Sequence, residues 1–160
     1  MAVTTNPLVT GFSTTPRVLD VNVTAVGNVG SGTDNLITYA IPANTFSANG
    51  KTVRVKAWGT TANNGNAKTL TFVVGSQTVV STALTTSIVG QWEIECLIVR
   101  TGASTQDIRA RTLQGATAII DAELTAGTQT DTAAITIKCT GTATDNDDIV
   151  QEGMITELLN

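Results

Sequence analysis

A chain of 160 residues, 41% hydrophobic and only 14% charged, can bury one core, is too short for two ordinary domains and is too apolar to be disordered. Its net charge of −4 works against binding to duplex nucleic acid, which needs clustered cations to displace counterions from phosphates. With no histidine the chain lacks the commonest general base, the commonest transition-metal ligand and every Ser-His or Cys-His nucleophile pair.

Residues 1–16, MAVTTNPLVTGFSTTP, mix Thr, Asn, Pro and Gly without sustained periodicity, the mark of an extended arm rather than a packed element. The arm has no early positive charge and no continuous apolar run, so it reads neither as a secretory signal nor as an anchor. No later segment is long and apolar enough to cross a bilayer. Neither a nucleic acid nor a membrane is an expected partner. Three arm residues, Leu8, Val9 and Phe12, are spaced to be gripped by another chain.

Residues 17–160 read as a single domain. Strands are predicted at 18–26, 35–41, 52–59, 68–74, 78–83, 91–101, 106–113, 117–124, 132–142 and 149–158. Between them stand turn formers: Gly27-Asn28, Gly30-Ser31-Gly32, Asn63-Asn64-Gly65-Asn66, Gly102-Ala103, Gly115 and Gly127. Eight to ten antiparallel strands at this spacing specify an all-β sandwich or barrel, with helix nearly absent. The segment NLITYAIPANTFSANGKTVRVKAWGT (35–60) is the most informative. It reads as strand, Pro-Ala-Asn turn, Asn-Gly turn and strand, and in its second strand Val53, Val55 and Ala57 alternate with Arg54, Lys56 and Trp58. One face of that strand is therefore apolar, and the other carries cations and a tryptophan.

In the strand at 91–101, Trp92, Ile94, Cys96 and Ile98 share one face, yet Leu97 and Val99 make the other apolar too. A strand apolar on both faces needs cover beyond its own sandwich partner, and a second subunit supplies it. The closing residues Leu158 and Leu159 suggest the same. Cys96 and Cys139 share parity with core isoleucines and are expected as buried, reduced thiols; a disulfide between facing strands is the alternative.

Candidate chemistry is sparse. Neither GxxxxGK nor a strand-linked GxGxxG occurs, so no nucleotide cofactor is expected. Glu93 with Glu95, and Asp121 with Glu123, are carboxylates two apart on a strand face, a pairing that glycosidases can use but that more often marks a wetted surface. The run Asp145-Asn146-Asp147-Asp148, with Glu152 nearby, offers oxygens of the kind Ca²⁺ accepts but lacks EF-hand spacing, and reads as a solvated turn. Arg54 with Lys56, and Arg109 with Arg111, put cations on one strand face each. Trp58 beside the first pair suggests an interface of aromatic anchor and ion pairs. No metal, cofactor or catalytic residue is expected.

Residues 36–100 carry a family likeness. LITYAIPANTFSANGKTVRVKAWGT, then NNGNAKTLTFVVGS, then QWEIECLIVRTG resemble a recurrent group of jelly-roll structural proteins of tailed bacteriophages. In that group an L-x-x-Y-x-[IL]-P-A-N-[TS] turn leads to a strand ending A-W-G-T, and a W-E-[IL] strand ends in R-T-G. The resemblance implies an antiparallel jelly-roll β-sandwich in a virion, made in the host cytoplasm, with no active site to carry over. It implies a capsid decoration (cement) protein, a homotrimer bound to the major capsid protein on the outer surface of the head and stabilising it. The alternative is a receptor- or glycan-binding tip domain of a tail fibre. Under the first reading Leu8, Val9 and Phe12 contact the capsid, while Arg54, Lys56, Trp58, Leu97, Val99, Leu158 and Leu159 form the subunit interface.

Overall fold

In the computed structural model, which describes residues 15–84, 90–115 and 117–160, strands account for most of the chain and no helix occurs among the described residues. They are β1 (Arg17–Asn22), β2 (Val26–Gly27), β3 (Gly32–Ile41), β4 (Thr52–Thr61), β5 (Lys68–Val74) and β6 (Gln77–Leu84), followed by β7 (Gly90–Gly102), β8 (Thr105–Gln114), β9 (Thr117–Gly127), β10 (Ile135–Ala143) and β11 (Ile149–Leu158). Burial along β4 alternates strictly, as the period-2 pattern of its sequence requires. The Pro42-Ala43-Asn44 turn closes through the Thr45 N–H donating to the Pro42 carbonyl at 3.2 Å, with Asn44 in the left-handed region at φ 64°, a conformation Asn tolerates better than most residues.

Several predicted boundaries change: β3 begins at Gly32 rather than 35, β9 runs on to Gly127, and two further changes have a visible cause. The strand expected at 18–26 is broken into β1 and β2 because the Asn22 side chain accepts the Thr24 N–H at 2.9 Å, a local turn that competes with the ladder. The strand expected at 132–142 begins at Ile135, since the Ala133 N–H is taken by the Thr130 carbonyl in a turn.

The strands form a seven-stranded sheet, ordered β1-β11-β4-β7-β8-β9 with β2 also on β11, and a four-stranded sheet ordered β3-β10-β5-β6. Taking the eight strands β1, β3, β4, β5, β6, β7, β10 and β11, the first pairs with the last, the second with the seventh, the third with the sixth and the fourth with the fifth, all antiparallel. That nesting, divided between two sheets, is the jelly roll. The β8–β9 hairpin widens the larger sheet beyond β7.

The inner faces of the two sheets meet in a core that includes Val53, Val55, Ala57, Phe72, Trp92, Ile94, Ile98, Ile135 and Ile137. Trp92 is fully enclosed, and its indole N–H donates to the Thr60 carbonyl at 3.2 Å.

Cys96 on β7 and Cys139 on β10 are free and fully buried. Burial pushes the Cys96 thiol well above its ordinary range, with the neighbouring Cys139 adding to the effect, and burial pushes Cys139 up to about 12. Neither forms thiolate at neutral pH, and thiolate is the reactive species. Alkylation of the native protein at pH 8 is therefore expected to modify neither cysteine and, in denaturant, both. A modified native protein counts against this packing.

Candidate functional site

Side chains of the larger sheet that do not enter the core make up its outer face, and strand register aligns them in rows. One row reads Glu157 (β11), Arg54 (β4), Leu97 (β7), Arg109 (β8); the next reads Ile155, Lys56, Glu95, Arg111. Continued onto β9 by register, Glu123 follows Arg109 and Asp121 follows Arg111, although the side chains of those two carboxylates lie outside the described residues. Opposite charges facing each other across strands stabilise the sheet, and Glu157 with Arg54, Lys56 with Glu95, and Glu95 with Arg111 stand so in these rows. Arg54 donates through Nη2 and Nε to the Glu157 carboxylate at 2.6 and 2.9 Å, and Lys56 lies 3.2 Å from Glu93. Leu97 and Val99 are half-buried, and Leu97 stands between two arginines, an apolar centre with a charged rim.

Trp58 occupies the row beyond, between Gly153 on β11 and Glu93 on β7. A methyl group at position 153 would lie 2.2 Å from the indole Cζ2, so only glycine lets the ring lie flat on the sheet. With Gln91, Glu93, Leu113 and Glu152, Trp58 lines a shallow cleft of about 260 Å³.

The structure thus brings Arg54, Lys56, Trp58, Leu97 and Val99 onto one face. Of the carboxy-terminal pair, it turns Leu158 inward, while Leu159 stands opposite Thr52 in the row of Val99. Leu158 packs against the core of its own sandwich, in register with Val53, so its burial needs no second subunit. Leu159 follows, its N–H donating to the Thr52 carbonyl at 2.9 Å, and the Asn160 side chain takes the Thr52 N–H and donates to the Gly50 carbonyl, each at 2.9 Å. Leu8, Val9 and Phe12 lie outside the described residues. Of the possible catalytic pairs, Glu93 is engaged by Lys56.

The acidic run at 145–148 is a turn with Asp145, Asn146 and Asp147 exposed, as its composition suggests, but its last residue turns inward. Asp148 is fully buried, accepting from Asn64 Nδ2 at 2.6 Å and Asn66 Nδ2 at 3.0 Å, and from the backbone N–H groups of Asp145 at 3.0 Å and Thr144 at 3.3 Å. Burial alone would raise its pKa, but the hydrogen bonds from Asn64, Asp145, Asn66 and Thr144 outweigh it and hold the carboxyl down to about 2. Lys68 is also fully enclosed, with Nζ 3.9 Å from Asp148 Oδ1. Its ammonium donates to Asn64 Oδ1 at 2.6 Å and to the Asn66 carbonyl at 3.1 Å. Asn146 accepts the Gly30 N–H at 2.6 Å, and Asp145 Oδ2 accepts from Asn66 at 2.9 Å. These oxygens are occupied by the chain's own donors. In the sequence Lys68, Asn64 and Asn66 read only as a strand start and a turn; the signal they carry is a lysine at an inward strand position.

No protein-family model and no curated protein matches the chain. Among solved structures it is similar to the crystal structure of the infectious bursal disease virus VP2 subviral particle, at 15% identity and a TM-score of 0.35. The match covers 91% of this chain and 42% of that one, so the chain spans less than half the length of that protein.

Proposed function

We propose that the chain is a structural protein of a tailed-bacteriophage virion, made in the host cytoplasm. In this reading it is a decoration (cement) protein that binds the outer surface of the head as a homotrimer, contacts the major capsid protein and stabilises the shell. The observation that carries this reading is the outer face of the larger sheet. Leu97 and Val99 stand there within a lattice of cross-strand charges, the arrangement of a desolvated anchor inside a polar rim. The likeness of residues 36–100 to phage jelly-roll proteins supports the virion context. Arg54, Lys56 and Trp58 are the further interface residues, and Leu8, Val9 and Phe12 are the capsid contacts. Leu158 packs against its own core, and Leu159, opposite Thr52 in the row of Val99, joins the interface residues.

Mixing the purified protein with undecorated heads and imaging them by electron microscopy tests the role; heads that stay bare overturn it. Deleting residues 2–16 is expected to leave fold and trimer intact while sharply weakening head binding. Three arms on one trimer multiply modest affinities through effective concentration, so their joint loss is severe. If the truncated protein decorates heads as well as the full chain, attachment lies on the globular base.

One observation favours the second reading, a glycan-binding tip of a tail fibre. The flat Trp58 ring with Glu93 and Glu152 at its cleft is suited to stacking a sugar ring and accepting from its hydroxyls. Retention of the protein on a host polysaccharide, lost in Trp58→Ala, would favour the tip over the head.

A further inference from the structure

We propose that Lys68 and Asn64 react with each other to form an intramolecular isopeptide cross-link, with Asp148 as the proton carrier. The proposal goes beyond the virion reading and does not depend on it.

Four groups converge as such a reaction requires. The nucleophile is Lys68 Nζ, hydrogen-bonded at 2.6 Å to Oδ1 of the carboxamide it would attack and enclosed away from water. Oδ1 also accepts the backbone N–H of Asn66 at 3.2 Å, a donor already aimed where negative charge develops in a tetrahedral intermediate. The leaving nitrogen, Asn64 Nδ2, lies 2.6 Å from Asp148 Oδ1, and the same oxygen is 3.9 Å from Nζ. One carboxylate oxygen therefore faces both the atom that must lose a proton and the atom that must gain one. The orientation of the amide is fixed by its neighbours, since a flipped Asn64 would set its NH₂ against two donors.

The step balances without an oxidant or co-reactant. Asp148 takes a proton from the Lys68 ammonium, and the freed lone pair attacks Cγ of Asn64 while the carbonyl electrons move onto Oδ1. As the carbonyl re-forms, the Cγ–Nδ2 bond breaks, and Nδ2 leaves as ammonium with the proton returned by Asp148 and a second one shed by Nζ. One C–N bond forms and one breaks, one ammonium ion departs, and Asp148 ends as the carboxylate it began. Its charge stays satisfied afterwards because Asn66 Nδ2 and the Thr144 and Asp145 N–H groups still donate to it. Fixed proximity is what makes so unreactive a pair competent, and the reaction need happen only once per molecule.

A different reaction at the same carbon must be separated from it. Asn64 precedes Gly65, and attack by the backbone nitrogen of Gly65 would form a succinimide with the same loss of ammonia. The test is the mass of the purified full chain under denaturing conditions, for the wild type and for Lys68→Arg, which keeps the charge but removes the nucleophile. The wild type is expected one ammonia lighter than its sequence, with trypsin unable to cut after Lys68, and Lys68→Arg at full mass. A wild type at full mass overturns the proposal, as does a deficit that persists in Lys68→Arg. If the variant does not fold, fragmentation of the wild-type peptide decides: a ring closed between residues 64 and 68, which yields no sequence ions from within 64–68, supports the link, and a fully linear peptide refutes it.

Discussion

Measured against protein in which the Lys68–Asn64 link has not formed, Asp148→Ala is expected to destabilise the domain by about 3–5 kcal/mol, the cost of removing one partner from a buried ion pair. For a domain of this size that is a fall in Tm on the order of 10 °C. The reason lies in what remains. Lys68 would keep its ammonium inside the sandwich with only the neutral oxygens of Asn64 and Asn66 as partners, while Asn64, Asn66 and two backbone N–H groups lose their acceptor. The same carboxylate gives wild-type stability a defined acid limb. Its pKa falls from 3.8 to about 2 on folding, so it binds fewer protons in the native state than in the unfolded one, and its contribution is complete above pH 4. That contribution, about 2 kcal/mol from the size of the shift, disappears as pH falls through about 2. Thermal melts at steps between pH 5 and pH 2 check both statements, because the gap between wild type and Asp148→Ala should narrow toward low pH. A gap below about 1 kcal/mol at pH 7 would mean that Lys68 and its neighbours relax into water once the carboxylate is gone.

Why the sandwich was legible and this cluster was not follows from the range over which each is specified. Val53, Val55 and Ala57 alternate with Arg54, Lys56 and Trp58 within a few residues, and a period of two can be satisfied only by a strand with one buried face. The Pro42-Ala43-Asn44 turn is equally local. Where a short-range polar contact competes with the ladder, as Asn22 does at Thr24, the apolar pattern of 18–26 runs on and misses the break. Lys68 and Asp148 belong to opposite halves of the nested hairpins and come together because β10 pairs with β5 and the 145–148 turn follows β10 directly. Nothing local marks such a pair, and a run of Asp and Asn is on composition alone a wet turn. The side on which Leu158 lies is equally non-local. Its parity can be read from sequence, but the face that parity selects depends on the bulge between Gln151 and Gly153, which shifts the register of β11 against β4.

Under the proposed decoration reading, Leu97→Asp is expected to reduce the trimer to monomers and to abolish head decoration while leaving the Tm of the monomer nearly unchanged. In the single chain the new carboxylate would stand in register between Arg54 and Arg109, a favourable cross-strand position, so the sandwich itself has no reason to fail. Across a subunit contact the arithmetic reverses. Burial of a leucine is worth about 1.5–3 kcal/mol, so its loss alone weakens each contact about 10- to 150-fold, and burying a charge there costs more. A closed trimer has three such contacts, and all three change at once. Sedimentation velocity at micromolar concentration should give one oligomeric boundary for the wild type and a monomer for the variant. A conservative Leu97→Met, which keeps volume and apolarity, should still assemble. If the wild type is itself monomeric, or if Leu97→Asp assembles unchanged, the outer face of the larger sheet is not where subunits meet. The half-exposed Trp58 cleft on the same face would then be free for a ligand in every copy, the geometry that a fibre tip requires and a buried interface forbids.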